Sequence, residues 1–437
     1  MRSVNDVVKV FREVEERHNA LHLEISEVRV WLALRLHIYY EIAQKIGMLD
    51  RPHQAALSRI DKLKNSYSYI YNSLRHNPFL AKKSTLLIVP HSRKVLSNNV
   101  VIDIYTNDFI NVRSDTTVLE KHDGHRHQVS LGRNAVAYDF FSVLSNAYSS
   151  VFKAPVSKEV QRTIKAIEDD IEDQFSVSID LLGRMQKLAS KFKVENYLVK
   201  KFLKKKSIQE IVLAVSYGHP VLIHAAKSLG IKVTEVQHGV INKYHLGYEF
   251  PTDSNFEHPF FPDELIVWQD MWKQAANFPI PPNCIFTREL QYFAMEKRKL
   301  EHVPKKTGTI LCLSQGVNGE RIAAYLEKNI QYLENYEIIF KLHPSEYNRW
   351  KSYLSLVNLS KYKNVKVISD NKESLHKMMK SAEYALGVFS TAMFEAYDYK
   401  CKLLVLELPG LEYMSFLLNS GEAKLVPIDS RLKLFLS

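Results

Sequence analysis

Apolar residues recur at three- and four-residue intervals through residues 1–80. Val7, Val10, Phe11 and Val14 form one series. Val28, Leu32, Leu36, Tyr39, Ala43 and Ile46 form a second, and Leu57, Ile60, Leu63, Tyr67, Ile70 and Leu74 a third. Such spacing puts each series on one face of a helix, so 1–80 is expected to be a helical region. From Ser84 the period changes. Residues 85–90 and 100–105 are short apolar runs of strand type, and 151–206 reads as helical again.

Residues 208–248 give the sharpest pattern. Glu210 to Tyr217 is a buried-type strand, Pro220 to Leu229 a helix stopped by Gly230, and Val233 to Gln237 a second strand. This is a βαβ unit with short links, which implies parallel strands. Asn277 to Asn283 carries Pro279, Pro281 and Pro282 and reads as an interdomain passage, with Glu301 to Lys306 a second hinge candidate. Strands are then expected at 309–313, 337–342, 365–368, 384–388 and 402–406. Helices are expected at 319–332, 353–359, 374–381 and 392–399. Alternation of this kind predicts a doubly wound parallel sheet. The expected division is 1–80, 81–300, 301–425 and a tail, 426–437.

Composition narrows the class. The 437 residues are 46% hydrophobic and 24% charged, which excludes a disordered or fibrous chain. The net charge of +11 points to an anionic partner. Cys284, Cys312 and Cys401 are far apart, so a disulfide framework or zinc ribbon is not expected and a reducing compartment fits. The N-terminus lacks the apolar core of a signal peptide, and Val30 to Met48 is too charged to span a bilayer, so a cytoplasmic protein, soluble or peripheral, is expected.

Candidate chemistry gathers at predicted strand ends. His238 follows a buried-type strand and precedes Gly239, with Tyr244, His245 and Tyr248 in the polar loop beyond. A histidine there titrates in the range needed to take a proton from a hydroxyl. Lys341, His343 and Pro344 end another strand, and a helix opened by Pro344 leaves its N–H groups to an anion. Ser390 and Thr391 stand between a strand and a helix, as a plain N-cap or as hydroxyls offered to a phosphate, with Glu395 one turn on. Gln315 and Gly316 lie in a turn that could wall a ligand cleft, while the nucleotide fingerprints GxGxxG and GxxxxGK[ST] are absent. His219 either lines the same side as His238 or belongs to an ordinary turn. His122, His125 and His127 match no zinc spacing and read as a solvated loop. Lys200, Lys201, Lys204, Lys205 and Lys206 make a basic amphipathic helix, either a solvated face or one suited to an anionic membrane.

Several of these motifs resemble known enzymes. Glu235 to Gly239 with Tyr244 to Tyr248 is similar to a stretch of bacterial surface-polysaccharide glycosyltransferases. Lys341 to Pro344 resembles the His-Pro motif of bacterial sialyl- and polysialyltransferases and teichoic-acid glycerophosphotransferases, and Ser390-Thr391 their paired hydroxyls. The segment Asp263 to Lys273, with Trp268, Asp270 and Trp272, looks like the one that precedes their second domain. The resemblance, over roughly 85–425, implies an α/β GT-B transferase: two Rossmann-like domains facing an interdomain cleft, with no metal and no cofactor. It implies an acceptor domain over 81–300 and a nucleotide-sugar domain over 301–425. His343, Ser390 and Thr391 would meet the donor phosphate or nucleotide and Glu395 its ribose, with Lys341, Pro344, Gln315 and Gly316 beside them. His238 would be the base, with Glu235 and Asp103 as acidic alternatives, and His219, Tyr244, His245 and Tyr248 would meet the acceptor. The implied donor is a CMP-sugar such as sialic acid or Kdo, or a UDP-sugar, and the acceptor a glycan or lipid-linked glycan. A CDP-glycerol or CDP-ribitol phosphotransferase, a sugar-nucleotide epimerase and a non-enzymatic basic membrane or nucleic-acid binder are the alternatives. No nucleic-acid-binding signature supports the last.

Overall fold

The computed structural model describes residues 3–48, 59–92, 94–97, 100–110, 113, 115–122, 135–252 and 256–436. The chain divides into two compact units, one built from Lys9–Ile46 and Arg51–Tyr292, the other from Phe293–Ser437 together with Met1–Val8 and Gly47–Asp50. Each holds a parallel sheet, and a helical region precedes the first, so the expected fold class, two parallel-sheet α/β domains behind N-terminal helices, is what the chain forms.

The first unit has seven strands: β1 (Leu86–Val89), β2 (Thr116–Glu120), β3 (Ala135–Ala137), β4 (Glu210–Ala214), β5 (Lys232–Val236), β6 (Glu264–Val267) and β7 (Ile285–Thr287). Their order across the sheet is β7-β6-β5-β4-β1-β2-β3, every pair parallel. Every residue of β1 is buried, as a strand covered on both faces requires. The run 100–105 supplies a strand as expected, Val100–Asp103, which pairs antiparallel with Lys94–Ser97 in a separate ribbon. The helices are α1 (Val4–Arg17), α2 (Val30–Lys45), α3 (Arg59–Arg75), α4 (Asp139–Val151), α5 (Lys158–Phe175), α6 (Leu182–Lys206) and α7 (Pro220–Lys227). Phe141 of α4 and Phe202 of α6 pack with Leu87, Leu213 and Leu222 into one core. The basic end of α6 lies at its C-terminus, where cations offset the helix dipole, and Lys206 turns inward to the carbonyls of Phe79 and Ala81.

The second unit has six strands: β8 (Lys306–Leu313), β9 (Glu337–Lys341), β10 (Val365–Ile368), β11 (Ala382–Gly387), β12 (Lys402–Leu406) and β13 (Ala423–Val426). Their order is β10-β9-β8-β11-β12-β13, again all parallel. Two of its helices matter below, α8 (Gly319–Asn329) and α9 (Thr391–Asp398). Leu432 and Leu436, near the chain end, join this unit's core.

One buried ion pair ties the N-terminal helices to the first sheet. Arg35 of α2 grips Glu15 of α1 through two bonds of 2.7 Å, and both side chains are 3% exposed. Trp31 adds a 2.6 Å bond to the same carboxylate. The remaining guanidinium donors reach the carbonyls of Leu246 and Glu249 at 3.0 and 2.6 Å. Replacing Glu15→Met strands that guanidinium, so urea unfolding should show a loss of about 3–5 kcal/mol. The double change Glu15→Met with Arg35→Met should recover part of it, because no lone buried charge remains.

Candidate active site

In the first sheet the strand order reverses between β1 and β4. From β1 the chain builds outward to β2 and β3, and from β4 the other way to β7. The carboxyl ends beside such a reversal form the crevice where α/β sheets bind ligands. His91 follows β1, Tyr217 follows β4, His238 follows β5 and Trp268 follows β6, so four neighbouring strand ends each deliver a ring.

Those rings assemble. His238 stacks on His91 with centroids 5.4 Å apart and planes 25° off parallel. Tyr105 meets both edge-on and lies parallel to Trp268. The Tyr217 hydroxyl and His238 Nε2 are hydrogen-bonded at 3.1 Å, and His238 Nδ1 is buried with no partner. Burial first, then the neighbouring His91 and His245, lower the His238 pKa to about 3. The imidazole is therefore neutral at pH 7. Burial raises the Tyr217 pKa, so its phenol keeps its proton.

A second layer holds this arrangement. Gln237 is fully buried and takes the Trp268 N–H at 3.0 Å, and its carbonyl takes the Trp268 indole N–H at 2.9 Å. Val215 sits at φ 66°, a strained position for a β-branched residue, and starts the turn that carries Tyr217. Glu235 Oε1 braces that turn by accepting the Ser216 N–H at 2.9 Å, and accepts the Tyr248 hydroxyl at 2.7 Å. Glu235 is fully buried, its Oε2 has no partner, and burial raises its pKa. It lies beneath the ring cluster. Asp103 takes the N–H groups of His91, Tyr105 and Thr106 and so shapes the loop bearing Tyr105.

The acceptor candidates fall in different places. Tyr248 is 1% exposed and faces Glu235, while His245 packs on Tyr217 and Tyr248 and Tyr244 is buried. His219 is buried against Tyr138, on the β3 side. His122 bonds Asp139 at 3.0 Å, and His125 and His127 lie outside the described residues. Sequence reading missed His91 and Tyr105. Their signal is the one that marked His238: polar rings just beyond an apolar run.

The second sheet reverses between β8 and β11, and the loops around that point are tied together. Gln315 Oε1 takes the Phe389 N–H at 3.1 Å, bridging the loops after β8 and β11. Arg349 bonds the Gly316 carbonyl at 2.7 Å, and Asn318 that of Pro409 at 3.0 Å. His343 caps the short turn opened by Pro344, where its Nδ1 meets Ser345 Oγ at 2.8 Å and its N–H donates to Glu346 Oε2 at 3.0 Å. Ser390 caps α9 by accepting the Met393 N–H at 3.3 Å, and Thr391 opens the helix half-buried. Glu395 lies one turn along α9. The Lys341 ammonium donates to Tyr347 Oη, the Asp370 carbonyl and Asn371 Oδ1, all neutral acceptors. These bonds fix the 370–371 loop and leave the lysine's charge to act through space.

Gly319, which opens α8, leaves room for the Glu346 carboxyl: a Cβ there would fall 1.9 Å from Oε1. Gly319→Ala should expel Glu346, release His343 and cost about 1–3 kcal/mol in thermal melts. The first unit predicts acid sensitivity. Burial lowers the pKa of His238 to about 3 and of His245 to about 4, and lowers those of His219, His224 and His258 as well. The unfolded chain then binds more protons than the folded one below the ordinary histidine value of 6.5. Stability should fall as pH drops from 6.5 towards 4, by up to about 1.4 kcal/mol per pH unit per histidine. Glu235, with its raised pKa, opposes this weakly. Melting temperature against pH checks the sign.

No protein-family model matches the chain, and no curated protein matches it. Among solved structures, UDP-GlcNAc 2-epimerase from Methanocaldococcus jannaschii aligns over 81% of this chain and 90% of its own, at 13% identity and a TM-score of 0.46. MurG from Acinetobacter baumannii aligns over 81% of this chain and 91% of its own, at 10% identity and a TM-score of 0.47. A kitacinnamycin glycotransferase aligns over 81% and 89%, at 10% identity and a TM-score of 0.42. Likeness at this level identifies no family for the chain.

Proposed function

We propose that the chain is a glycosyltransferase that moves a sugar from a nucleotide-activated donor to a hydroxyl of a growing glycan, with the acceptor at the first unit and the donor at the second. The observation that carries this reading is the neutral imidazole of His238 held beside the first strand-order reversal by Tyr217. The acceptor hydroxyl takes the place of the Tyr217 hydroxyl at Nε2 and gives up its proton there as its oxygen attacks the anomeric carbon. The bond from that carbon to the donor phosphate oxygen breaks, and the electron pair leaves on the phosphate. The α9 N-terminus, Ser390, Thr391, His343 and the charge of Lys341 oppose the growing negative charge.

The donor favoured is a CMP-sugar of the sialic acid or Kdo kind, on the likeness of His343-Pro344 and Ser390-Thr391 to those transferases, with a UDP-sugar next. The acceptor is a bacterial surface polysaccharide or its lipid-linked precursor. No described helix is long and apolar enough to cross a membrane. Lys201, Lys204 and Lys205 stand exposed on α6, where an anionic membrane face could meet them.

Thermal melts with CMP, CDP, UDP and GDP test the donor. The correct nucleotide at a hundredfold excess over its Kd should stabilise the protein by about 2.7 kcal/mol. No shift with any of them would sink the reading. His238→Ala should keep the nucleotide shift and lose transfer by about 10²–10⁴-fold. Transfer that survives this change removes His238 as the base.

A further inference from the structure

The carboxyl end of the first sheet has another half, which the transfer reading leaves unused. Lys121 and His122 stand directly beyond β2, and Tyr138 directly beyond β3. Residues of α3, α4 and α6 close around them, leaving a cavity of about 880 Å³. That volume suits a small ligand.

The cavity is polar in an unbalanced way. The Lys121 ammonium donates to the Gly218 carbonyl at 2.8 Å and lies 5.7 Å from the Tyr138 ring centre. Lys121 is exposed and lines the cavity. Lys191 and Glu195 of α6 line the same space; burial lowers the Lys121 pKa most, Glu195 raises it and Lys191 lowers it. Neither lysine has a carboxylate partner among the described residues. The acidic groups close by are already engaged. Glu195 accepts the hydroxyls of Tyr138 and Ser145, one on each oxygen, and Asp139 pairs with His122. Among the described residues, two lysines thus line the cavity against one carboxylate, Glu195, whose two oxygens already accept hydroxyls. The rest of the wall, with Tyr69, Tyr138 and Asn146, offers ring faces and an amide, which suit a polyol.

We propose that this cavity binds an anionic sugar unit, bearing a carboxylate or a phosphate, with Lys121 and Lys191 on its charge. Gly218, which Lys121 holds, ends the turn that carries Tyr217, the partner of His238. An acceptor chain seated here therefore lies one turn of backbone from the candidate base. The identification of the sugar as part of the acceptor rests on the transferase reading; the anion site itself does not.

Calorimetric titration of the full-length protein with glucuronate, glucose 6-phosphate and glucose tests the site. At least one anionic sugar should bind about tenfold or more tighter than glucose, and which one does so names the anion. Lys121→Met and Lys191→Met should each cut that preference by about tenfold. Lys191 is half-buried on a helix with no bond to lose, so its change tests the site even if Lys121→Met unfolds the protein. Equal binding of all three sugars, no binding of any, or an undiminished preference in Lys191→Met overturns the proposal. Nucleotide melts on the same samples separate the two ideas: anionic-sugar binding without any nucleotide shift keeps this site and rejects the transferase.

Discussion

The Arg35 guanidinium is the point on which the first unit's chemistry depends. The loop from Gly239 to Phe250 forms no helix or strand, so its backbone groups need partners from elsewhere. Arg35 supplies them at Leu246 and Glu249, on either side of Gly247 and Tyr248. A buried cation could not do this alone, and Glu15 neutralises it across the α1–α2 interface. Tyr248 then reaches Glu235, Glu235 braces the turn at Ser216, and that turn presents Tyr217 to His238. A helical pair far away in sequence thus determines the geometry around the imidazole.

Burial and charge do different work in the two units. In the first, desolvation lowers the pKa of His238 to about 3 and of His245 to about 4, so both imidazoles are neutral and weakly basic, below the range expected of a histidine at that place in the sequence. In the second, the buried Lys341 side chain bonds only neutral oxygens. Both sets of groups stand at strand ends, where loop residues can vary without touching the core.

Much of the fold was legible in the chain. Continuous apolar runs such as 86–89, 210–214 and 309–313 announce strands buried on both faces. The short edge strands Ile285–Thr287 and Ala423–Val426 were not, because three or four half-exposed residues carry no clear period. Residues 100–105 had a strand's composition and Val100–Asp103 does form a strand, but its antiparallel partner is something local pattern does not specify. Of the site, His238, His343 and Ser390 were marked by their place after strands. Glu235 was weighed as an acid, and the structure sets it beneath the rings as a brace.

The sequence by itself determined the alternation of strands and helices, the two parallel sheets and the histidines at their ends, since each follows from period and local turn chemistry. Only the tertiary structure decided which rings meet. His91, Tyr217 and His238 are separated by more than a hundred residues at their widest, and adjacency in a sheet depends on strand order, which no local pattern encodes. It also decided which charges are answered. Lys341 is surrounded by neutral acceptors, while Lys121 bonds one carbonyl and lines a cavity.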